Sequence, residues 1–382
     1  MTADGDLAGA VRTAVGAVID PELRRPLGEL DMIRSVTASD DRVRIEIALT
    51  IVGCPASDRI ERDVRAAAAT LLPAERIDVE LGVMTPEQRA ALTERLRGAR
   101  ARGIPFTRDS LTRVIAVTSG KGGVGKSTLT ANLAVALART GRSVGLVDAD
   151  VHGFSIPGLL GLVDAAGRTV RPTKIDDLIV PPIAHGVKVV SIGMFLREGD
   201  EGRAVAWRGP MLHRTVQQFL TDVWFGDIDV LLIDMPPGTG DIAISVGQLL
   251  PHADVLVVTT PQHAAADVAV RSGTVARQTG QRVVGVVENM APMTLPDGTV
   301  LDLFGSGGGD AVARALSAEG DAVPLLASVP LSPALRAGGD AGLPVVLAAP
   351  DDPAGRAITH LAEQLAASGP SLAGRALPLG VR

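Results

Sequence analysis

The stretch RVIAVTSGKGGVGKSTLTANLAVALART, residues 113–140, decides the fold. Its opening run, RVIAVT (113–118), is aliphatic without interruption and reads as a strand buried on both faces. The run empties into GKGGVGKST, which satisfies G-x-x-x-x-G-K-S/T, and a helical segment rich in Ala and Leu follows directly. Glycines let successive backbone N–H groups point inward as a nest for phosphate oxygens. Gly120, Lys121, Gly122, Gly123, Val124, Gly125 and Thr128 form that loop, Lys126 is placed to reach the β and γ phosphates, and the Ser127 hydroxyl is placed to hold Mg²⁺. The expectation is a bound nucleoside triphosphate.

Working outward, the same kind of run recurs as SVGLVD (143–148), DVLLID (229–234), DVLVVT (254–259) and RVVGVV (282–287), separated by helical segments. That alternation predicts an α/β fold: a mostly parallel sheet flanked by helices, with ligands at the carboxyl ends of the strands. DVLLID ends in Asp234, a carboxylate after a buried strand and a candidate Mg²⁺ ligand, and Gly238 in the following MPPGTGD suits a switch loop that senses the γ phosphate. Asp148 and Asp150, in DADVHG, add two carboxylates at the same edge as further Mg²⁺ candidates. Asp150 either orients or deprotonates the attacking water, or merely caps the segment that follows. Asn289, after the last run, is the candidate reader of the adenine edge, with residues 328–336 closing on the base; no lysine sits in an N-K-x-D motif, which favours ATP over GTP.

Only 4 of the 37 basic residues are lysines, and two of these, Lys121 and Lys126, share one loop. A lysine is a compact point charge on a flexible stem, suited to a phosphate. Lys121 is thus read either as a solvated loop residue or as a charge delivered to the transferring phosphoryl group. Elsewhere the composition is that of a soluble globular protein of 382 residues, 46% hydrophobic and 21% charged. Aromatics are 2%, which argues against stacking platforms for bases, and a net charge of -6 supplies no global attraction for nucleic acid or an acidic membrane. With no long apolar run and no basic leader, a cytoplasmic location and no membrane partner are expected.

The first hundred residues read as a small α+β unit. Leu7, Val11, Val15 and Val18 keep helical spacing, VRIEIALTI (43–51) alternates as a strand, Ile60, Val64, Ala68 and Leu71 mark a second helix, and IDVELGV (77–83) is a short strand. Residues 86–103 read as a polar helix ending at Gly103 and Pro105. The expected organisation is a small domain over 1–98, a linker over 99–110, the ATPase-type domain over 111–368 and a loose tail over 369–382. Cys54, the sole cysteine, excludes an intrachain disulfide and an all-Cys metal site within one chain. It is either a small buried hydrophobe or a metal-binding thiolate whose pKa the nearby helix N-terminus would lower.

The residues together resemble a known family. GKGGVGKS, DADVHGFSIPGLLG, RGPMLHRTVQQFL, DVLLIDMPPGTGD, VVTTPQ, VVENM and FGSGGG occur in the order found in Mrp/ApbC-type iron-sulfur cluster carrier P-loop ATPases. DPEL (20–23) and LTIVGCPASDRI (49–60) resemble the iron-sulfur assembly domain that precedes this ATPase. The resemblance implies a cytoplasmic homodimer that delivers clusters to apoproteins, taking them from cluster donors; a complete phosphate cradle in a site that a dimer or partner must finish predicts slow, Mg²⁺-dependent ATP hydrolysis. The resemblance also implies a deviant Walker A loop in which Lys121 crosses to the partner's phosphates. The family's C-P-x-C cluster ligands are missing here: NMAPMTLPDGTV has Leu295 and Gly298 at those positions, leaving Cys54 as the one candidate thiolate. Alternative readings are a partition-type positioning ATPase with the same loop, or an assembly factor that holds no cluster.

Overall fold

Valine and isoleucine runs with no polar interruption need cover on both faces, and the chain provides it by setting them side by side under helices. The structure, a computed structural model, describes residues 3–39, 42–98, 103–151, 153–164, 166–196 and 209–368, which form two compact units.

The larger unit is built on an eight-stranded sheet in the order Leu325–Pro330, Arg282–Ala291, Asp254–Thr259, Arg113–Ser119, Val230–Asp234, Val144–Asp148, Val187–Ser191 and Ile183–Ala184. Every pairing is parallel except the last. The four runs from Asp254–Thr259 to Val144–Asp148 are buried at every position. Arg113–Ser119 lies between the strands from Asp254 and from Val230, so the loop that leaves it opens into the crevice where such sheets bind ligands. The helix after that loop, Lys126–Arg139, is buried almost all round, because its alanines let it sit closely against both the sheet and the helix Pro353–Ala367. The latter turns Ile358, Leu361, Ala362 and Leu365 into the core.

The smaller unit has a three-stranded sheet: Ile33–Ser39 antiparallel to Arg42–Leu49, and Ile77–Val83 parallel to it. Val43, Ile45 and Ile47 are fully buried while Arg42 and Arg44 face out, as the alternation predicts. Helices Ala3–Gly16, Ser57–Ala68 and Pro86–Arg97 belong to this unit, the last opened by a Thr85–Gln88 capping box. It ends at Arg97, with Gly98 at φ +59°, short of the expected 103.

A single cut between 98 and 111 does not describe the units. The smaller one also takes in Pro172–Pro182 and Asp222–Gly226 from the middle of the expected ATPase domain. The reason is apolar: Ile175, Leu178, Val180 and Trp224 are buried in the core that holds Val11, Ile45 and Ile60. Arg89 and Arg97 pair with Asp176 and Asp177 at the rim, at 3.6 and 2.8 Å. The tail expected to be loose, 369–382, lies outside the described residues.

Candidate nucleotide-binding site

Parallel register puts the acidic strand ends together. Asp234 is the Cα partner of Val117 on one side and of Asp148 on the other, and Ser191 is the partner of Asp148. Above Asp234 sits the loop. Gly123 and Gly125 take φ of +79° and +78°, a conformation that turns the chain into the helix and favours glycine. Gly120 has no room for a side chain: a Cβ would lie 2.3 Å from the Val268 carbonyl carbon.

The Lys126 ammonium lies 2.8 Å from Asp234 Oδ2 and donates to Ser127 Oγ at 3.1 Å, and the Ser127 hydroxyl donates to Asp234 Oδ2 at 2.6 Å. Thr130 Oγ1 lies 2.9 Å from the second Asp234 oxygen, Oδ1. Asp234 is fully buried, so its charge depends on these partners. Hydroxyl and carboxylate oxygens are hard donors that suit Mg²⁺, and Ser127 with Asp234 is the pair that fits it. Among the described residues no group of three or more His, Cys, Asp or Glu is arranged to hold a metal by itself.

Lys121, residues 122–128, Asp150, Gly153, Ser155, Pro236 and Pro237 line a cavity of about 550 Å³. A cavity of about 710 Å³ at the other ends of the strands is lined by Arg108, Arg113, Asp254 and Arg282. There Asp254 binds both Arg113 and Arg282, at 2.7 and 2.8 Å, so that region's ionic groups largely serve one another.

The other expected site residues divide. Asp150, 8% exposed, lines the loop cavity and also accepts the Gly153 N–H at 3.1 Å, so it both faces the site and caps the turn. Asp148, also expected at Mg²⁺, is as fully buried as Asp234 but hydrogen-bonds away from Lys126 and Ser127. Its oxygens accept from Ser191 Oγ at 2.9 Å and from the backbone of Asp150 at 3.2 Å and Ile156 at 3.4 Å. Burial, then the adjacent Asp234 charge, pushes Asp148 up to about 7, with the Ser191 hydroxyl pulling the other way. It supports the site from beneath. Gly238, at φ +89°, donates its N–H to Ser119 O at 2.8 Å, behind the loop.

Asn289, the expected reader of the base, is 5% exposed, and its amide N–H donates to Val124 O at 2.8 Å, bracing the phosphate loop. For Cys54 the expected lowering of the pKa is corrected. The thiol is 4% exposed, lies 3.3 Å from Glu22 Oε2, and is pushed up to about 12 by burial and then by the Glu22 charge, which outweigh the Ala56 N–H at the helix start. Thr173 holds the other Glu22 oxygen at 2.7 Å. In the sequence, Thr130, Gln262 and Glu22 are marked only by their places within the quoted motifs or one helical turn after Lys126.

Residues 110–366 match the family described as NUBPL iron-transfer P-loop NTPase. The chain belongs to that family. Residues 9–81 of this iron-transfer NTPase match a second family, described as iron-sulfur cluster assembly protein. A protein of Mycobacterium tuberculosis named iron-sulfur cluster carrier protein is 55% identical over 382 residues, 99% of this chain and 98% of its own. One of the same name from Synechocystis is 41% identical over 360 residues, covering 94% of this chain and 96% of its own. Among solved structures, a nucleotide-binding protein in complex with ADP from Archaeoglobus fulgidus is 36% identical, with a TM-score of 0.50 over 60% of this chain and 86% of that one.

Proposed function

We propose that this NTPase binds MgATP at the 120–128 loop, hydrolyses it slowly as a homodimer, and uses that cycle to carry or assemble iron-sulfur clusters for apoproteins. The observation that carries the reading is the Lys126–Ser127–Asp234 triangle under a glycine cradle, in a chain whose two regions match an iron-transfer NTPase family and an iron-sulfur cluster assembly family. In the reading, Lys126 exchanges Asp234 for phosphate oxygens, and the cradle amides orient the triphosphate. Ser127 and Asp234 hold Mg²⁺, which neutralises phosphate charge when bound. Asp150 positions the attacking water, and Lys121 supplies a further positive charge, from the partner subunit in the dimer. An incomplete site in the single subunit accounts for slow turnover.

Lys126→Ala tests the loop. ATP affinity should fall roughly 10- to 100-fold, the worth of a hydrogen bond to a charged group. The variant also strands the buried Asp234 charge, which costs about 3–5 kcal/mol of stability. Adding Asp234→Asn should recover the melting temperature without recovering ATP binding. Unchanged ATP affinity in Lys126→Ala removes the assignment.

A second reading, an assembly factor that handles apoproteins and holds no cluster, is favoured by one feature. The 293–301 hairpin, where the resembling family has cysteines, is closed by backbone bonds Leu295 N to Thr299 O and Gly298 N to Leu295 O, at 2.8 and 2.9 Å. It offers no thiol.

A further inference from the structure

Lys121 Nζ donates to Gln262 Oε1 at 3.1 Å, and among the described residues no carboxylate pairs with this ammonium. Gln262 is the N-cap of the helix His263–Gln278, yet its side chain makes no capping bond; its oxygen goes to Lys121 instead. Two further contacts fix the geometry. Gly120 is seated against the backbone of Val268 and Ala269 in that same helix, and Ser119 Oγ donates to the Lys121 carbonyl at 3.1 Å. The backbone on either side of the lysine is thus held while the side chain rests on one neutral acceptor. The positive end of a 16-residue helix lies at that acceptor, and it opposes an ammonium.

We infer that Gln262 is a positioning residue for Lys121: a weak, neutral latch that holds the ammonium at the rim of the loop cavity and releases it to phosphate. The inference rests on the proposed role of Lys121 in phosphoryl transfer. A glutamate at 262 would hold the ammonium through an ion pair and favour the helix N-terminus as well, and the lysine would be withheld. An alanine would leave it free. Neutrality is what makes the contact exchangeable.

The test reads lysine reactivity in the full chain without nucleotide. Four lysines make competitive acylation with acetic anhydride easy to resolve by mass spectrometry, with exposed Lys174 in the other unit as the internal reference. Gln262→Ala should raise Lys121 labelling relative to Lys174 by roughly two- to tenfold, the change in occupancy for one exposed hydrogen bond. Gln262→Glu should lower it by a similar factor, and 0.5 M salt should cancel that decrease. In turnover, Gln262→Glu should reduce kcat and leave KM for ATP within about twofold. Equal Lys121 labelling in the three proteins overturns the latch. Labelling that shifts as stated while Lys121→Ala keeps full turnover retains the latch and instead removes the catalytic role of Lys121.

Discussion

At Cys54 and Asp148 the surroundings set the chemistry more than the residue type does. Both are buried beside a carboxylate, and both hold their protons more tightly than usual: Cys54 rises from its ordinary 9.0 to about 12, Asp148 from 3.8 to about 7. For the thiol the sign is plain. The folded state keeps a proton that the unfolded state releases, so the stability it contributes is intact below pH 9 and is lost as pH rises toward about 12. The reactivity follows the same logic, because the thiolate is the nucleophile. Alkylation of Cys54 by iodoacetamide, followed by mass spectrometry, should be slow at pH 7.5 and climb about tenfold per pH unit to pH 9.5 without a plateau. Glu22→Gln removes the adjacent charge and should speed it several-fold. A plateau near pH 8 would mean that the thiol sits in a different environment.

At the scale of elements, what was legible follows from locality. RVIAVT, the loop and the helix after it could be read because strand burial, φ-permissive glycines and helix start all lie within 28 consecutive residues. IDVELGV is a strand over the expected Ile77–Val83, and DVLVVT over Asp254–Thr259. Val187–Ser191 is less legible because Lys188 interrupts its aliphatic run, and Leu325–Pro330 because, at the sheet edge, it is mostly half-buried. The Pro172–Pro182 excursion was hidden for a different reason: its apolar residues answer a core formed a hundred positions earlier. The Asn289 brace is hidden in the same way, since the strand end is local but its partner, Val124 O, is 165 residues away. The Asn289 brace makes a prediction that a base reader would not. Asn289→Ala should weaken ATP and GTP by the same factor, about 2- to 10-fold for one lost hydrogen bond. Gly125 leans on the same amide, with a Cβ there only 2.2 Å from Asn289 Nδ2, so loosening the brace loosens the whole cradle. Binding measured calorimetrically with both nucleotides decides it, and a selective loss of ATP would return Asn289 to the base.

At the scale of the whole molecule, no described helix is long and apolar enough to cross a membrane, and the two matched regions account for most of the chain. If Lys121 works across a dimer, mixing Lys121→Ala with Asp150→Ala subunits should restore about one active site per heterodimer, seen as recovered phosphate release; no recovery assigns Lys121 to its own subunit's site. Cluster handling draws on the whole chain too. One cysteine per subunit allows at most two protein thiolates in a dimer, while clusters are held mainly by Cys thiolates. That cysteine is buried and protonated, so a cluster must displace both a proton and the Glu22 contact to use it. The remaining ligands would come from added thiols, other side chains or a client protein. Anaerobic reconstitution with iron and sulfide should therefore give weak thiolate-to-iron absorbance, below one cluster per dimer, bleached quickly by a chelator and lost in Cys54→Ala. Nucleotide binding should survive that substitution, because Cys54 lies in the smaller unit and the phosphate loop in the larger. A stable stoichiometric cluster in Cys54→Ala would place the ligands elsewhere; no iron in either protein, even with a client present, would leave an ATP-driven factor that acts on apoproteins alone.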